Sequence, residues 1–234
     1  TGEPFDWNDE SMRSRMFVAS ARDPRFARTL IYNGATFKGQ PVQSYVGGHN
    51  GRPLDGATPT SYYLRKHIVE ATSFVTGSEM SYQHIFPFFR YAEVLLNYAE
   101  ALAAATQNPD FTGMKGEVEY TLSPREALNA VRARYNMPGI TETDYAAFVK
   151  RLRNERRVEL AFEGHRFWDI RRWKIGAETT KVYGLTITPQ NDGSFSYMRS
   201  VIQQRGWEDR MNFYPIADAE LFKNHNLVQN DGWK

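Results

Sequence analysis

The pattern of hydrophobic and polar positions divides the chain into three parts. Residues 1–85 have little regular periodicity, residues 86–175 have helical periodicity, and residues 176–234 contain an alternating, hairpin-like stretch. Residues 86–105 predict a helix whose apolar side chains share one face, namely Tyr91, Val94, Leu95, Tyr98 and Leu102. Because no linker separates the three parts, we predict one continuous, mainly α domain over 1–234.

Two further helices are predicted in the middle part. Ser123-Pro124-Arg125-Glu126 has the spacing of a capping box, which indicates a helix from there to about Met137 that Pro138-Gly139 ends. A third, longer helix is predicted from Thr143-Asp144 to about Trp173. Two antiparallel helices followed by another are typical of tetratricopeptide-type hairpins, although the chain contains no strict 34-residue repeat.

The flanking parts are predicted to be loops and minor β hairpins. Six of the 17 glycines and three of the 11 prolines lie between Asn33 and Thr60, which indicates a long exposed loop. The β-branched and aromatic residues of 61–69 favour a strand. Near the C-terminus, Asn-Asp-Gly within 186–198 predicts a hairpin, and 211–224 predicts a short strand and then a brief helix that Asp218 could cap.

Composition excludes several classes of function. The net charge of +2 gives no support to binding of nucleic acid or of a membrane surface. The chain has no cysteine, so it can form no disulfide and carry out no thiolate catalysis. No apolar run approaches the roughly 20 residues of a membrane-spanning helix, and no leader opens the chain, so we expect any targeting segment to lie outside it.

The stretch RNERRVELAFEGHRFWDIRRWK, residues 153–174, is dense in charge. Glu155, Glu159 and Glu163 recur every four residues, which could place an acid–base pair on one helix face. Neighbouring arginines favour structural ion pairing instead, and Arg132 and Arg134 on the preceding helix could add to it. We therefore predict structural ion pairs among Glu155, Arg156, Glu159, Glu163 and Arg166, with Arg151 beside Glu155 and Gly164 as a close-packing point within the helix.

The same stretch does not predict a metal or nucleic-acid site. A di-metal carboxylate bundle needs Glu-x-x-His on more than one helix, whereas Glu163 and His165 have the wrong spacing and no second copy exists. Four acids interleave the nine basic residues from Lys150 to Lys174, which an exposed phosphate-binding stripe would avoid. Nucleotide-binding and hydrolase motifs are also missing, so we predict no metal, no cofactor and no catalytic residue.

The glycine-rich loop carries flat aromatic rings beside polar groups. A sugar has an apolar C–H face and polar hydroxyls around its edge, so this combination suits a carbohydrate ligand. The alternative is that some rings only anchor the loop to the helices. The predicted ligand-binding residues are Trp7, Tyr32, Tyr45, His49, Asn50, Arg52 and Tyr62.

Seven stretches together resemble the SusD/RagB family of Bacteroidetes surface glycan-binding lipoproteins, in the order that the family has them. They are DPRF (23–26), SYYLRKHIV (61–69), FPFFRYAEVLLNYAEA (86–101), EALNAVRARYNMPG (126–139), RNERRVELAFEGHRFWDIRRW (153–173), FYPIADAEL (213–221) and NLVQN (226–230). Members of that family are longer, and the match corresponds to their C-terminal half. Their signal peptide and lipid-anchored cysteine would therefore precede this chain.

The resemblance implies a SusD-like fold and a function without catalysis. The expected function is to hold an oligosaccharide or polysaccharide at the outer-membrane surface, for delivery to a SusC-like TonB-dependent transporter. Ligand contacts in that family come from variable loops and also from the N-terminal half, so the resemblance assigns no binding residue here. Two alternatives stay open: a protein-interaction scaffold that uses the helical hairpins, and a glycoside hydrolase that uses a carboxylate pair.

Overall fold

The computed structural model describes residues 4–233 of the chain, and helices form its centre. Three of them, α3 to α5, are long enough to build a core, whereas the others are short. The helices are Glu10–Ser14 (α1), Pro24–Thr29 (α2), Tyr91–Thr106 (α3), Pro124–Ala133 (α4), Tyr145–Glu159 (α5), His165–Arg172 (α6) and Asp218–Lys223 (α7).

The strands of the described residues form small antiparallel pairs. Three pairs are very short: Leu30–Ile31 (β1) with Tyr63–Leu64 (β4), Thr36–Phe37 (β2) with Gln40–Pro41 (β3), and Gly113–Lys115 (β5) with Val118–Tyr120 (β6). The fourth is a long hairpin of Lys181–Pro189 (β7) with Phe195–Gln204 (β8). The predicted mainly α architecture with minor β hairpins is confirmed.

The helical core lies where α3, α4 and α5 pack together. It contains Leu96 of α3, Leu128 and Val131 of α4, and Phe148 and Leu152 of α5, each without exposed surface. The predicted face of α3 was partly wrong, since the helix begins at Tyr91 and the side chains of Tyr91 and Val94 are 70% and 53% exposed. The buried face of α3 also includes alanines, which a count of large apolar residues does not find.

The capping box of α4 is confirmed. The Ser123 hydroxyl oxygen accepts a hydrogen bond from the Glu126 backbone N–H at 3.2 Å, and the Glu126 carboxylate accepts one from the Ser123 N–H at 2.8 Å. These bonds satisfy two backbone donors that a helix start otherwise leaves without partners. The helix ends at Ala133, four residues before the predicted end at Met137.

The predicted long third helix was wrong, because the chain breaks it between Glu159 and His165. Phe162 and Gly164 adopt positive φ angles of 62° and 82°, which no continuous right-handed helix contains. Gly164 is not a close-packing point, since a Cβ there would have no neighbour within 4 Å. Its contribution is a left-handed backbone just before α6, a conformation that glycine adopts without strain.

The predicted strands were correct in the hairpin and mostly wrong elsewhere. Only Tyr63–Leu64 of the predicted 61–69 strand is paired, because the backbone turns at Ser61 and His67, which have positive φ angles. The expected strand before Pro215 is not among the described elements. Helix α7 follows there with Ala217 at its N-cap, so Asp218 lies inside the helix and does not cap it.

A run of large apolar side chains before and along α3 is exposed to solvent. Phe74, Ile85, Phe88 and Phe89 do not pack into any of the three described cores, and Tyr91 continues the run onto the helix. We call this surface the apolar ridge. Among the described helices, none combines the length and the apolar character that crossing a membrane would require.

Candidate functional site

The carboxylates of Glu155 and Glu159 are buried side by side near the C-terminal end of α5, with 2% and 3% of the residues exposed. Arg25, at the start of α2, donates to both of them from Nη1, at 2.5 Å to Glu155 and 2.7 Å to Glu159. Arg132 of α4 binds the other oxygen of Glu155 at 2.7 Å, and Arg90 binds the other oxygen of Glu159 at 2.5 Å. Each carboxylate is therefore neutralised by two guanidinium groups.

Glu163 lies in the turn after α5 and is 6% exposed. It accepts hydrogen bonds from Lys66 Nζ at 2.5 Å and from Arg90 Nε at 2.6 Å. Burial, the largest single influence, would raise the pKa of this carboxyl, but the two cationic donors together hold its pKa below the ordinary value. Glu163 is thus fixed as a carboxylate, which suits a structural ion pair rather than a general acid.

The cationic partners differ from those expected from helical spacing. Arg156 binds Asp169 at 2.8 Å instead of the glutamate row, the name used here for Glu155, Glu159 and Glu163. Arg151 binds Glu142 at 3.0 Å. Arg166 was predicted to pair with Glu163, and this was wrong. Its guanidinium lies 6.0 Å from the Trp173 ring centroid, and no carboxylate of the described residues is within ion-pair distance.

The acid–base and metal interpretations of this row find no support in its geometry. Every oxygen of Glu155, Glu159 and Glu163 has a cationic partner, so none is positioned to hold and release a proton. Within residues 4–233, no group of three or more potential metal ligands comes together. The row joins α5 to α2, α4 and the segments around Lys66 and Arg90.

The stability of the fold should decrease below about pH 4.3, the ordinary pKa of a glutamate in an unfolded chain. Because the folded-state pKa of Glu163 is lowered, its stabilising contribution is complete above the unfolded value and is lost as the pH falls through the folded value. Urea unfolding at pH 7, 4 and 3 measures this. Glu163→Gln should flatten the dependence, whereas the exposed control Glu119→Gln should leave it unchanged; equal slopes for both variants would contradict the assignment.

Two of the predicted ligand-binding rings belong to an aromatic core. Tyr32 is 7% exposed and its ring lies between those of Phe17 and Phe26, with centroids 5.8 and 4.6 Å away. Tyr62 packs tilted against Phe17 at 5.7 Å, and burial raises the pKa of its hydroxyl to about 12. Tyr32 is buried and Tyr62 contacts both Phe17 and Phe26, so both rings correspond to the alternative of loop anchors.

Trp7 and Tyr45 are only partly buried and share one neighbourhood. Both pack against a small core of Met16, Leu185 and Ile187, which links the N-terminal segment to the hairpin β7–β8. The Tyr45 ring lies 5.3 Å from that of Phe195 on β8, and the Val46 N–H donates to the Ile187 carbonyl at 2.8 Å. The glycine-rich loop is thus attached to the hairpin.

The turn that follows presents His49, Asn50 and Arg52 to solvent. Its shape depends on close approach of the backbone, because a Cβ at Gly51 would lie 1.8 Å from the Tyr45 carbonyl oxygen. The Asn50 side-chain oxygen accepts a hydrogen bond from the Gln43 N–H at 3.1 Å, so part of this amide is already used within the turn.

The hairpin contributes residues that the sequence did not indicate. The Arg199 guanidinium lies 3.6 Å from the ring centroid of Tyr183 and 6.0 Å from that of Trp7. Residues 183 and 199 are diagonal cross-strand neighbours, since Leu185 pairs with Arg199 and Tyr183 pairs with Val201. We call the aromatic surface the set Trp7, Tyr45, Tyr183, Phe195 and Arg199.

Comparison with known proteins identifies the family. The model of the SusD family matches residues 10–233. The chain belongs to the SusD family. This confirms the resemblance seen in the seven sequence stretches, and the mainly α, tetratricopeptide-like architecture agrees with it.

Three relatives show the extent of the likeness. SusD-like protein P2 of Formosa agariphila is 33% identical over 146 residues, which are 61% of this chain and 24% of the relative. A SusD-like protein of Bacteroides fragilis superposes with a TM-score of 0.71 at 29% identity, covering 91% of this chain and 39% of that one. A SusD-like carbohydrate-binding protein of the same species gives 0.64 at 28% identity, covering 96% and 45%. This SusD-family chain thus spans less than half of each relative.

Proposed function

We propose that this chain binds carbohydrate without catalysing a reaction on it. The observation that carries the proposal is membership of the SusD family, together with likeness to a Bacteroides fragilis relative described as a SusD-like carbohydrate-binding protein. The ligand class suits the aromatic surface, because rings with an open face can pack against the C–H face of a sugar.

The proposed contacts combine the aromatic surface with the neighbouring turn. Trp7 and Tyr45 offer ring faces, while Arg199 is held in place by the Tyr183 ring and can donate to hydroxyls at the edge of a sugar. His49 and Arg52 stand exposed in the turn beside them, and Asn50 keeps its amide N–H donors free for the ligand.

The proposed cellular role is nutrient uptake at the bacterial outer membrane. In this role, the protein holds an oligosaccharide or polysaccharide on the outer face of the membrane and passes it to a SusC-like TonB-dependent transporter. A lipid anchor outside this chain would attach it to the membrane. Absence of catalysis is supported by the glutamate row, whose carboxylates are all engaged by cations.

Removing a ring from the aromatic surface should weaken glycan binding. For Trp7→Ala and Tyr45→Ala we expect affinity about tenfold lower, equivalent to about 1.4 kcal/mol each. Calorimetric titration of a panel of oligosaccharides measures this, with thermal unfolding to verify that each variant is folded. Tyr91→Ala is the matched control, since this tyrosine is exposed on α3 outside the surface.

The possible outcomes test the proposed function and the proposed site separately. If no carbohydrate in the panel binds, the proposed function is wrong. If carbohydrate binds and both Trp7→Ala and Tyr45→Ala keep wild-type affinity, the function stands and the aromatic surface is not the site.

The apolar ridge favours one second candidate, a protein-interaction scaffold. Phe74, Ile85, Phe88 and Phe89 place a large apolar area in water, and such surfaces often mark protein contacts. This candidate predicts binding of a peptide or protein that Trp7→Ala and Tyr45→Ala leave intact. Glycan binding that those variants weaken would count against it as the main function.

A further inference from the structure

A cavity of about 650 Å³ lies between the N-terminal segment and helices α4 and α5. Its volume is in the range that small-molecule sites occupy in proteins, roughly 300–1,000 Å³. Aromatic rings of Phe5, Phe26 and Phe162 contribute to its walls. It is distinct from the aromatic surface, because Trp7, Tyr45 and the hairpin do not line it.

The deep wall of the cavity is electrically balanced. Arg25 and Arg132 line it, and both bind Glu155, while Arg25 also binds Asp23 at 2.6 Å. These guanidinium groups are occupied by the ion pairs that hold α2, α4 and α5 together. Their positive charges are therefore not available to bind a ligand.

The outer wall carries an excess of positive charge. Arg15, Arg22 and Arg157 line it, and none has a carboxylate of residues 4–233 within ion-pair distance. Two carboxylates lie near these cations, and both are already engaged: Asp9 accepts the Met12 backbone N–H at 3.0 Å as the cap of α1, and Asp23, which also attracts Arg22, binds Arg25 at 2.6 Å. The arrangement favours an anionic group in the cavity.

Arg22 is the most constrained of these three cations. Its guanidinium lies 4.6 Å from the ring centroid of Phe5 and 4.7 Å from that of Phe26, so two phenyl rings hold it in place. No group of the described residues accepts a hydrogen bond from its side chain. Burial is the largest influence on the pKa of Arg22 and lowers it, while the nearby Asp23 and Tyr62 act in the opposite direction without reversing the shift.

We propose that this cavity binds the anionic group, carboxylate or sulfate, of an acidic sugar unit. Arg22 provides the planar pair of donors that matches two oxygens of such a group, and Arg157 adds a second positive charge. The exposed Phe162 ring gives the sugar an apolar contact. The choice of a sugar rests on the proposed carbohydrate binding; the anionic preference rests on the cavity itself.

The test is calorimetric titration of the chain with three matched oligosaccharide sets: neutral galactosides, galacturonides and sulfated galactosides. At least one acidic set should bind about tenfold or more tightly than the neutral set, and its affinity should decrease as salt is added. The acidic set that binds more tightly identifies carboxylate or sulfate as the recognised group. Equal affinity for neutral and acidic sets overturns the proposal.

Three substitutions test whether the preference for acidic oligosaccharides arises in the cavity. Arg22→Gln should remove most of the advantage of the acidic set and leave neutral binding unchanged. Arg22→Lys, which keeps the charge but not the planar donor pair, should fall between the two. Arg205→Gln, an exposed arginine outside the cavity, is the control and should change nothing. Thermal unfolding verifies the fold of each variant.

The outcomes distinguish this inference from the proposed function. Neutral binding without an acidic preference, or an acidic preference that survives Arg22→Gln, overturns the cavity site and leaves carbohydrate binding in place. If no sugar of any of the three sets binds, the cavity proposal is overturned, and the oligosaccharide panel used for the aromatic surface decides separately whether the proposed function is wrong.

Discussion

Replacing Glu159 with alanine should lower the free energy of unfolding by about 3–5 kcal/mol. The Glu159 side chain is 1% exposed and accepts hydrogen bonds from Arg25 and Arg90. Without Glu159, the guanidinium groups of Arg25 and Arg90 have more hydrogen-bond donors than there are carboxylate acceptors around them. Arg25 also remains buried. Removing one partner of a buried ion pair is strongly destabilising, because the remaining charge is neither hydrated nor neutralised. This loss is far larger than the net stabilisation that the intact pair provides.

Urea unfolding followed by circular dichroism measures this loss. Glu220→Ala is the control, since Glu220 binds Lys223 across an exposed face of α7 and such pairs contribute less than about 1 kcal/mol. A loss for Glu159→Ala as small as that of the control would show that the glutamate row is hydrated and contributes little to the fold.

Replacing Phe148 with alanine should lower the free energy of unfolding by about 3–5 kcal/mol as well, for a different reason. Phe148 has no exposed surface and lies in the core with Leu96, Leu128 and Leu152. The substitution removes buried apolar surface and leaves a cavity that neighbours on three helices can fill only in part. Thermal and urea unfolding both measure the change.

A phenylalanine of the same size on the surface provides the control for Phe148. Phe222 on α7 is 79% exposed, so Phe222→Ala should change the free energy of unfolding by no more than about 0.5 kcal/mol. Comparable losses for the two variants would mean that α3, α4 and α5 do not form the packed core seen here.

Features that depend only on residues close together in the sequence could be predicted. The capping box of α4 needs only a serine, a proline and a glutamate at fixed spacing, and it is present as predicted. The Asn-Asp-Gly turn likewise indicated the hairpin. The break between α5 and α6 could not be seen in this way, since charges and apolar residues continue with helical spacing through Phe162, and only Gly164 interrupts them.

Most features that depend on distant residues could not be predicted. The spacing of Glu155, Glu159 and Glu163 indicated that they need cations, and Arg132 of the preceding helix was correctly expected to contribute. Arg25 and Arg90 reach the row through the tertiary fold, and they displace Arg166 from its expected role. A salt bridge between remote segments leaves no local pattern in a single sequence.

The candidate site shows the same limit. The sequence shows that the first part of the chain is rich in aromatic residues, but it does not show which ring faces are covered in the fold. Tyr32 lies in the core and Tyr62 packs against it, whereas Arg199, which also contacts Tyr183, comes close to Trp7 only because the hairpin packs beside that segment. That contact depends on where the N-terminal segment packs against the hairpin, which a single sequence does not show.

The glutamate row also has a kinetic consequence. Arg25 and Glu159 are 134 residues apart in the chain, so their contact requires a long loop to close before it stabilises anything. Helices α3, α4 and α5 meet through much shorter connections and can assemble earlier. We therefore expect the row to form after the main folding barrier, where it slows unfolding and contributes little to the rate of folding.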